Sequence, residues 1–173
     1  MKSPNYGNIS LWIAAIVCLI LLVPTLAASD ENGERYCLAQ NIYFEAGNQP
    51  LAGRIAVANV TLNRVEDLQF PETICDVVYQ SKAYYESWSG NKVPVRGMCQ
   101  FSWYCDGKAD KPIPGDAWVN AQTVAWNIME DGMYRGLTEG ATHYHADYVE
   151  PRWAKSLQLV GRIGAHIFYR WEK

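Results

Sequence analysis

The sequence predicts an α+β domain in which helices come first and a short antiparallel sheet comes last, the whole preceded by an N-terminal hydrophobic helix. Three observations carry this. Apolar residues keep helical spacing up to about residue 130, strand-like composition follows, and an uninterrupted apolar run, Leu11 to Val23, stands ahead of both.

That run, LWIAAIVCLILLV, is followed by Pro24 and the stretch Thr25-Leu26-Ala27-Ala28. Its length suits the apolar region of a signal peptide better than a membrane span of about 20 residues, and Ala27 or Ala28 can precede a cleavage site. Counted from Ile9 to Ala28, the segment instead reaches the length of an inner-membrane anchor. Residues 1–28 are therefore read as a signal peptide or an anchor, 29–33 as a polar linker and helix start, and 34–173 as one folded domain. Lys2 precedes the run and Asp30, Glu31 and Glu34 follow it, so either reading exports the domain, to the periplasm or to the outer face of the inner membrane.

From Glu34 to Ala46, Leu38 and Ile42 follow helical spacing, and Gly47 is a C′ stop. Asn48 reads as an N-cap with Pro50 just inside a second helix, striped by Leu51, Ile55, Ala58, Leu62 and Val65. Pro71 opens a third, shorter helix through Tyr79. Ser81 to Pro114, rich in Gly, Pro, Lys and aromatics, is expected to be loop around a short strand near Met98 to Trp103. Asp116 caps a fourth helix with Trp118, Val124, Ala125 and Ile128 on its buried face, ending near Asp131-Gly132. Thr142 to Tyr148, Leu157 to Ile163 and Ala165 to Trp171 read as strands, the last two turning at Ile163-Gly164.

Among the 173 residues, 49% are hydrophobic, with 7 Trp and 11 Tyr, which excludes a disordered chain and allows one ordinary core. The net charge is −3, and removing residues 1–28 takes away only Lys2, so a nucleic-acid partner is excluded. Cys18 lies in the apolar run. Cys37, Cys75, Cys99 and Cys105 form an even set suited to a disulfide-permissive compartment. Of the three possible pairings, Cys99 with Cys105, a short loop, and Cys37 with Cys75, tying the first helix to the third, are favoured.

The chemistry centres on Asn41-Ile42-Tyr43-Phe44-Glu45-Ala46-Gly47. Glu45 is i+3 from Ile42 and i+7 from Leu38, which puts its carboxyl on the face that would otherwise be buried. Apolar surroundings and the negative end of the helix dipole both raise a carboxyl pKa. An acid kept protonated near neutral pH is what protonation of a leaving glycosidic oxygen requires.

Five motifs now resemble one family in order: CLAQNIYFEAGNQPLAGRIAVANVTLNRV at 37–65, TICDVVY at 73–79, CQFSWYCDG at 99–107, ATHYHADYVEPRWA at 141–154 and IGAHIFYR at 163–170. They are similar to the SleB-like, spore cortex-lytic type of cell wall hydrolase. The resemblance implies a small lysozyme-related, resuscitation-factor-like fold, peptidoglycan glycan strands as partner, no catalytic metal or other cofactor, and Glu45 as the catalytic acid. It also implies a lytic transglycosylase, in which the 6-hydroxyl of N-acetylmuramic acid (MurNAc) attacks its own anomeric carbon, so that one protein carboxyl suffices. One departure is visible. Where the family often reads Glu-Ala-Arg-Gly-Glu, this chain has Glu45-Ala46-Gly47-Asn48-Gln49, which removes any acidic partner at 49.

The candidate substrate-binding set is Tyr43, Gln100, Ser102, Trp103, His143, Tyr144, His145 and Trp153. If extended, residues 100–104 present one aromatic and one polar side, and the resemblance places Gln100 and Ser102 in the cleft. Asp106 and Asp147 are possible second carboxylates, each better read as a turn or strand-end residue. His143 and His145 share a strand face with zinc-ligand spacing. With His166 they would make a metal-dependent amidase, one alternative to glycan cleavage; a non-catalytic peptidoglycan-binding module is the other.

Overall fold

The computed structural model describes residues 24–172, with side chains from residue 33 onward. The apolar run, with its leader-or-anchor reading and Cys18, lies outside the described residues. Among those described, no helix is long and apolar enough to cross a membrane. Residues up to Gly33 form a unit of their own, and the description below concerns the compact unit that begins at Glu34.

Helix α1 spans Pro24–Ala46, so its backbone begins ahead of the expected Glu34 start and runs through residues 29–33. It is followed by α2, Leu51–Val65, the short α3, Ile74–Val78, and a hairpin of β1, Ser81–Tyr85, with β2, Lys92–Cys99. A 3-10 turn at Ser102–Cys105 leads through a loop to α4, Asp116–Glu130. Then come β3, His143–Ala146, a second 3-10 turn, Arg152–Ser156, and β4, Gln158–Ile163, and β5, His166–Arg170, which are joined by a tight turn. The last three strands form an antiparallel sheet in the order β3-β5-β4. Helices first and sheet last is thus the observed order.

Several local expectations change. Asn48 does not cap α2. Pro50 occupies the cap position, its fixed φ of −56° starting the helix without a side-chain hydrogen bond. The third helix begins only after Thr73, whose Oγ accepts from Asp76 N (3.1 Å) while Glu34 accepts from Ile74 N (2.5 Å). Asp116 is the first residue of α4, with Gly115 at the cap position. The expected strand at Met98 to Trp103 is the end of β2 followed by a helical turn, and the region before it pairs as a two-stranded arm. That arm escapes a periodicity reading because it has no core on either face, and Pro94 sits within it.

Helix α2 is the centre of the domain. Ile55 and Ala58 face the main cluster, which holds Leu38, Ile42, Val77, Val78, Phe101, Val124 and Ile128. On its other side Ala56 and Val60 pack with Phe168 of the sheet and Ala141. Covered on two sides, α2 buries more than the expected stripe, whereas Leu51 at its start is exposed.

Polar residues on and beside α2 are tied by hydrogen bonds, although Arg64 Nη1 has no hydrogen-bond partner among the described residues. Asn41 of α1, fully buried, donates to Thr61 Oγ1 (3.1 Å) and accepts from Trp103 Nε1 (3.0 Å). Asn59 donates to Tyr134 O (3.0 Å), Asn63 to Ala141 O (2.8 Å) and Arg64 Nε to Thr142 O (2.8 Å). These bonds fasten the loop before β3 along α2 and so fix where β3 lies. At the other end, Gln49 Oε1 accepts from Ala165 N (3.0 Å) and holds the β4–β5 turn. Gly164 there has φ +61°, which favours glycine, and a Cβ would come 2.8 Å from that same oxygen and displace the Gln49 amide.

Both favoured disulfides form, Cys37 with Cys75 (Cα–Cα 5.2 Å) and Cys99 with Cys105 (6.1 Å). The first closes the longer loop and joins α1 to α3. Replacing both Cys37 and Cys75 by Ala is expected to lower unfolding stability by about 4 kcal/mol on the loop-entropy model, against about 2 kcal/mol for the Cys99–Cys105 pair, measured by urea titration of each double variant.

Candidate active site

Glu45 stands in the last turn of α1, one residue before the fully buried Ala46. The chain leaves the helix through Gly47, where a Cβ would lie 2.4 Å from Tyr43 O. Only glycine allows this close pass, so Gly47 serves the exit by its lack of a side chain and not by a left-handed φ. Leu38 and Ile42, one and two turns earlier, are fully buried, as the spacing requires. Glu45 itself is partly buried at a cleft of about 1040 Å³, a size suited to several sugar rings' worth of polar ligand.

The end of α1 supplies Tyr43, Phe44 and Glu45 to this cleft, and α2 supplies Arg64. One wall comes from Gln100 to Trp103 and the loop carrying Asp106, Lys108 and Asp110; the other comes from Tyr144, His145, Tyr148 and His166. The loop is pinned to α1, since Gln40 Nε2 donates to Asp110 O (2.6 Å) and Tyr43 Oη accepts from Ile113 N (3.3 Å).

Burial and two side chains set the state of the acid. Burial raises the Glu45 carboxyl above its ordinary range; the hydrogen bond from Tyr144 and the charge of Arg64 oppose this without cancelling it. Tyr144 Oη donates to Glu45 Oε2 at 2.9 Å. The Tyr144 hydroxyl is itself pushed well above its usual value, by burial first and by Glu45 second, so it keeps its own proton and remains a donor. Of the two carboxyl oxygens, Oε2 holds this hydrogen bond and Oε1 does not. Arg64 is buried between Phe70 and Phe101, its guanidinium carbon 5.2 and 5.0 Å from the two ring centroids.

Of the other carboxyls, Asp106 accepts from Lys108 N (2.8 Å) and pairs with Lys108 Nζ (3.2 Å), and the backbone hydrogen bond leads in holding it below the ordinary range. Asp147 is ion-paired with Arg162. Both are thus engaged as turn and strand-end residues. Asp110, shifted upward by desolvation and by Asp106, is a cleft carboxyl that the sequence reading missed.

The candidate substrate-binding residues divide. Tyr43, Gln100, Ser102, Trp103, Tyr144 and His145 line the cleft. Trp103 does so from the core, buried and stacked on Phe44 at 4.6 Å. His143 and Trp153 are absent from this lining: they sit together on the outer face of the sheet, centroids 5.5 Å apart, with Trp171 and Phe70 against His143. The cleft reaches β3 only from Tyr144 onward. Arg64, Lys108, Tyr148 and His166 join the site unforeseen. His166 packs beside Tyr144 at 5.0 Å.

A three-histidine zinc site does not assemble. His143 and His145 project from one face of the sheet, His166 from the other with Tyr144 and Phe168. Both His145 nitrogens have partners, Ala146 O (2.9 Å) and Tyr169 Oη (3.0 Å). Among the described residues no group of three His, Cys, Asp or Glu could hold a metal ion.

A family model described as Cell Wall Hydrolase matches residues 48–169. The match begins just past Glu45, so that residue rests on the geometry above. The chain is similar to the spore cortex-lytic enzymes of Oceanobacillus iheyensis, 38% identical over 131 residues, 76% of this chain and 39% of the relative, and of Bacillus subtilis, 26% identical over 137 residues, 79% and 37%. The chain thus spans roughly two fifths of the length of the curated relatives it matches. In fold it is similar to the catalytic domain of the germination-specific lytic transglycosylase SleB from Bacillus anthracis, with a TM-score of 0.59 and 23% identity over 79% of this chain and 93% of that one.

The upward shift of Glu45 has a sign for stability. Stability from a raised carboxyl is fully present below its unfolded pKa and is lost as pH rises through the folded one. Glu45→Gln, which keeps the shape and cannot ionise, is expected to stabilise the domain by about 1 kcal/mol at pH 8, with the gain disappearing at pH 4. Thermal unfolding of the two proteins at both pH values checks this.

Proposed function

The chain belongs to the cell wall hydrolase family, and on that premise we propose that it is a peptidoglycan-degrading lytic transglycosylase that cuts the β-1,4 bond from MurNAc to N-acetylglucosamine, with Glu45 as general acid and base. The carrying observation is a buried, raised carboxyl at the end of α1, one oxygen held by Tyr144, at a cleft of strand-binding size. The similarity to a solved lytic transglycosylase domain and to spore cortex-lytic enzymes supports the reading.

In this mechanism Oε1–H of Glu45 protonates the glycosidic oxygen as the bond to C1 breaks, and the bonding pair leaves with that oxygen. The carboxylate so formed is steadied by the Tyr144 hydrogen bond and by Arg64. The 6-hydroxyl of the same MurNAc then attacks C1, and its proton returns to Glu45, which regenerates the acid and leaves a 1,6-anhydro end. No second carboxylate takes part in this route: Asp106 and Asp147 are engaged in ion pairs, and Asp110 belongs to the loop wall, pinned through its backbone carbonyl by Gln40. Tyr43, Gln100, Ser102 and His145 contact the sugars, and stacking of Trp103 on Phe44 firms the floor beneath them. A wall substrate and two disulfides fit an exported domain, residues 34–173, delivered by the leader or anchor read in residues 1–28.

Glu45→Gln is expected to lower the release of soluble fragments from purified peptidoglycan by about a thousandfold. Tyr144→Phe is expected to lower it by about tenfold and to move the alkaline limb of the pH profile upward, because it removes an interaction that favours the ionised acid. Mass spectrometry of the products gives anhydro ends lighter by one water than hydrolysed ends. Activity retained in Glu45→Gln overturns the acid assignment; hydrolysed ends alone overturn the acceptor.

A further inference from the structure

The outer face of the sheet carries a second groove, of about 490 Å³, between β3, β5 and the 3-10 turn that holds Lys155. Its walls include His145, Tyr148, Glu150, Lys155, Ile167 and Tyr169. His145 and Tyr148 also line the catalytic cleft, so the two recesses share a wall. Tyr148, 86% exposed, stands at this junction with its ring open to solvent. The groove mixes an apolar strip, Val149 and Ile167, with charges of both signs. Asp147, at its edge, is already paired with Arg162. Among the described residues Glu150 and Lys155 have no ion-pair partner, and both are exposed.

The substrate supplies the rest of the argument. Each MurNAc carries, through its lactyl ether, a short peptide that cannot be left behind when the sugar enters the cleft. That peptide must pass over the rim into whatever recess adjoins it. It holds free carboxylates and a diamino acid with an ammonium group, joined by an extended backbone that presents small apolar side chains. We propose that the second groove is a subsite for this stem peptide. Lys155 meets a peptide carboxylate, Glu150 meets the diamino acid's ammonium, and Tyr148 and Tyr169 lie along the backbone. The inference rests on the glycan-cleaving reading and adds to it a preference: strands that bear peptides are better substrates than bare strands, since remote contacts raise the rate at the reacting centre.

The test compares the full chain on intact peptidoglycan and on strands stripped of their peptides by an amidase. The wild type is expected to show about tenfold higher kcat/KM on the peptide-bearing strands. Lys155→Glu and Glu150→Lys, each reversing a charge outside the catalytic cleft, are expected to reduce that preference about fivefold and to leave cleavage of bare strands unchanged. Equal rates of the wild type on both substrates overturn the subsite, as does a loss in the variants that is the same on both. Binding of the free tripeptide L-Ala-γ-D-Glu-diaminopimelate, followed by NMR shifts at Tyr148 and Lys155, reads the groove without catalysis. Shifts there, with no cleavage of either strand, uphold the subsite and fault the cleavage reading alone; no shifts overturn the subsite.

Discussion

The hydrogen bond from Tyr144 to Glu45 joins the two halves of the domain at the cleft where we propose the chemistry takes place. One partner ends a helix near the start of the chain, and the other lies in a strand 99 residues later. A carboxyl can remain uncharged only if burial outweighs whatever favours its ionised form. Here burial is the leading influence, and the two opposing ones are a hydroxyl and a buried guanidinium. The same pair that lowers the proton's retention stabilises the carboxylate after the proton has gone. Burial thus favours the protonated form while two neighbours favour the ionised one, opposing influences that suit the proposed acid, which must recover its proton in every cycle.

Helix α2 makes that arrangement possible. It is buried on both sides, so its polar residues must find partners within the protein, and those partners lie in the loop that leads into β3. Arg64 is the last of these contacts and the one nearest the acid. Its place between Phe70 and Phe101 keeps a positive charge close to Glu45 without a direct ion pair to it, which would hold the carboxyl ionised. Truncating any of these bonds would leave a buried polar group unpaired, at a typical cost of about 1–3 kcal/mol, and would loosen the strand that carries Tyr144. Fold stability and the geometry of the proposed site thus share the same bonds.

Much of this was legible in the sequence. The spacing of Glu45 from Leu38 and Ile42 foretold its buried face, the cysteine pairs formed as favoured, and the turn at Ile163-Gly164 set the β4–β5 hairpin. What stayed hidden depends on long-range contacts. Arg64 reads as an ordinary end-of-helix residue until Phe101 and Thr142 are placed over it. His143 looks equivalent to His145 by alternation, yet the cleft opens past the far end of β3 and aromatic rings cover His143. The two-stranded arm after α3 has neither buried face nor regular pattern, so its pairing could not be read from the residues. Gln49, noted only as a departure from a family pattern, proves to hold the turn between the last two strands.

The central claim concerns one proton, and a carboxyl-carbon NMR titration of Glu45 in the intact chain, followed from pH 3 to 8, observes it directly. The resonance is expected to move with a midpoint clearly above the 4.5 of an ordinary glutamate, and higher again in Tyr144→Phe. A midpoint at or below 4.5, unmoved by loss of the Tyr144 hydroxyl, would contradict the account, because the group would then be ionised before any glycosidic oxygen could receive its proton.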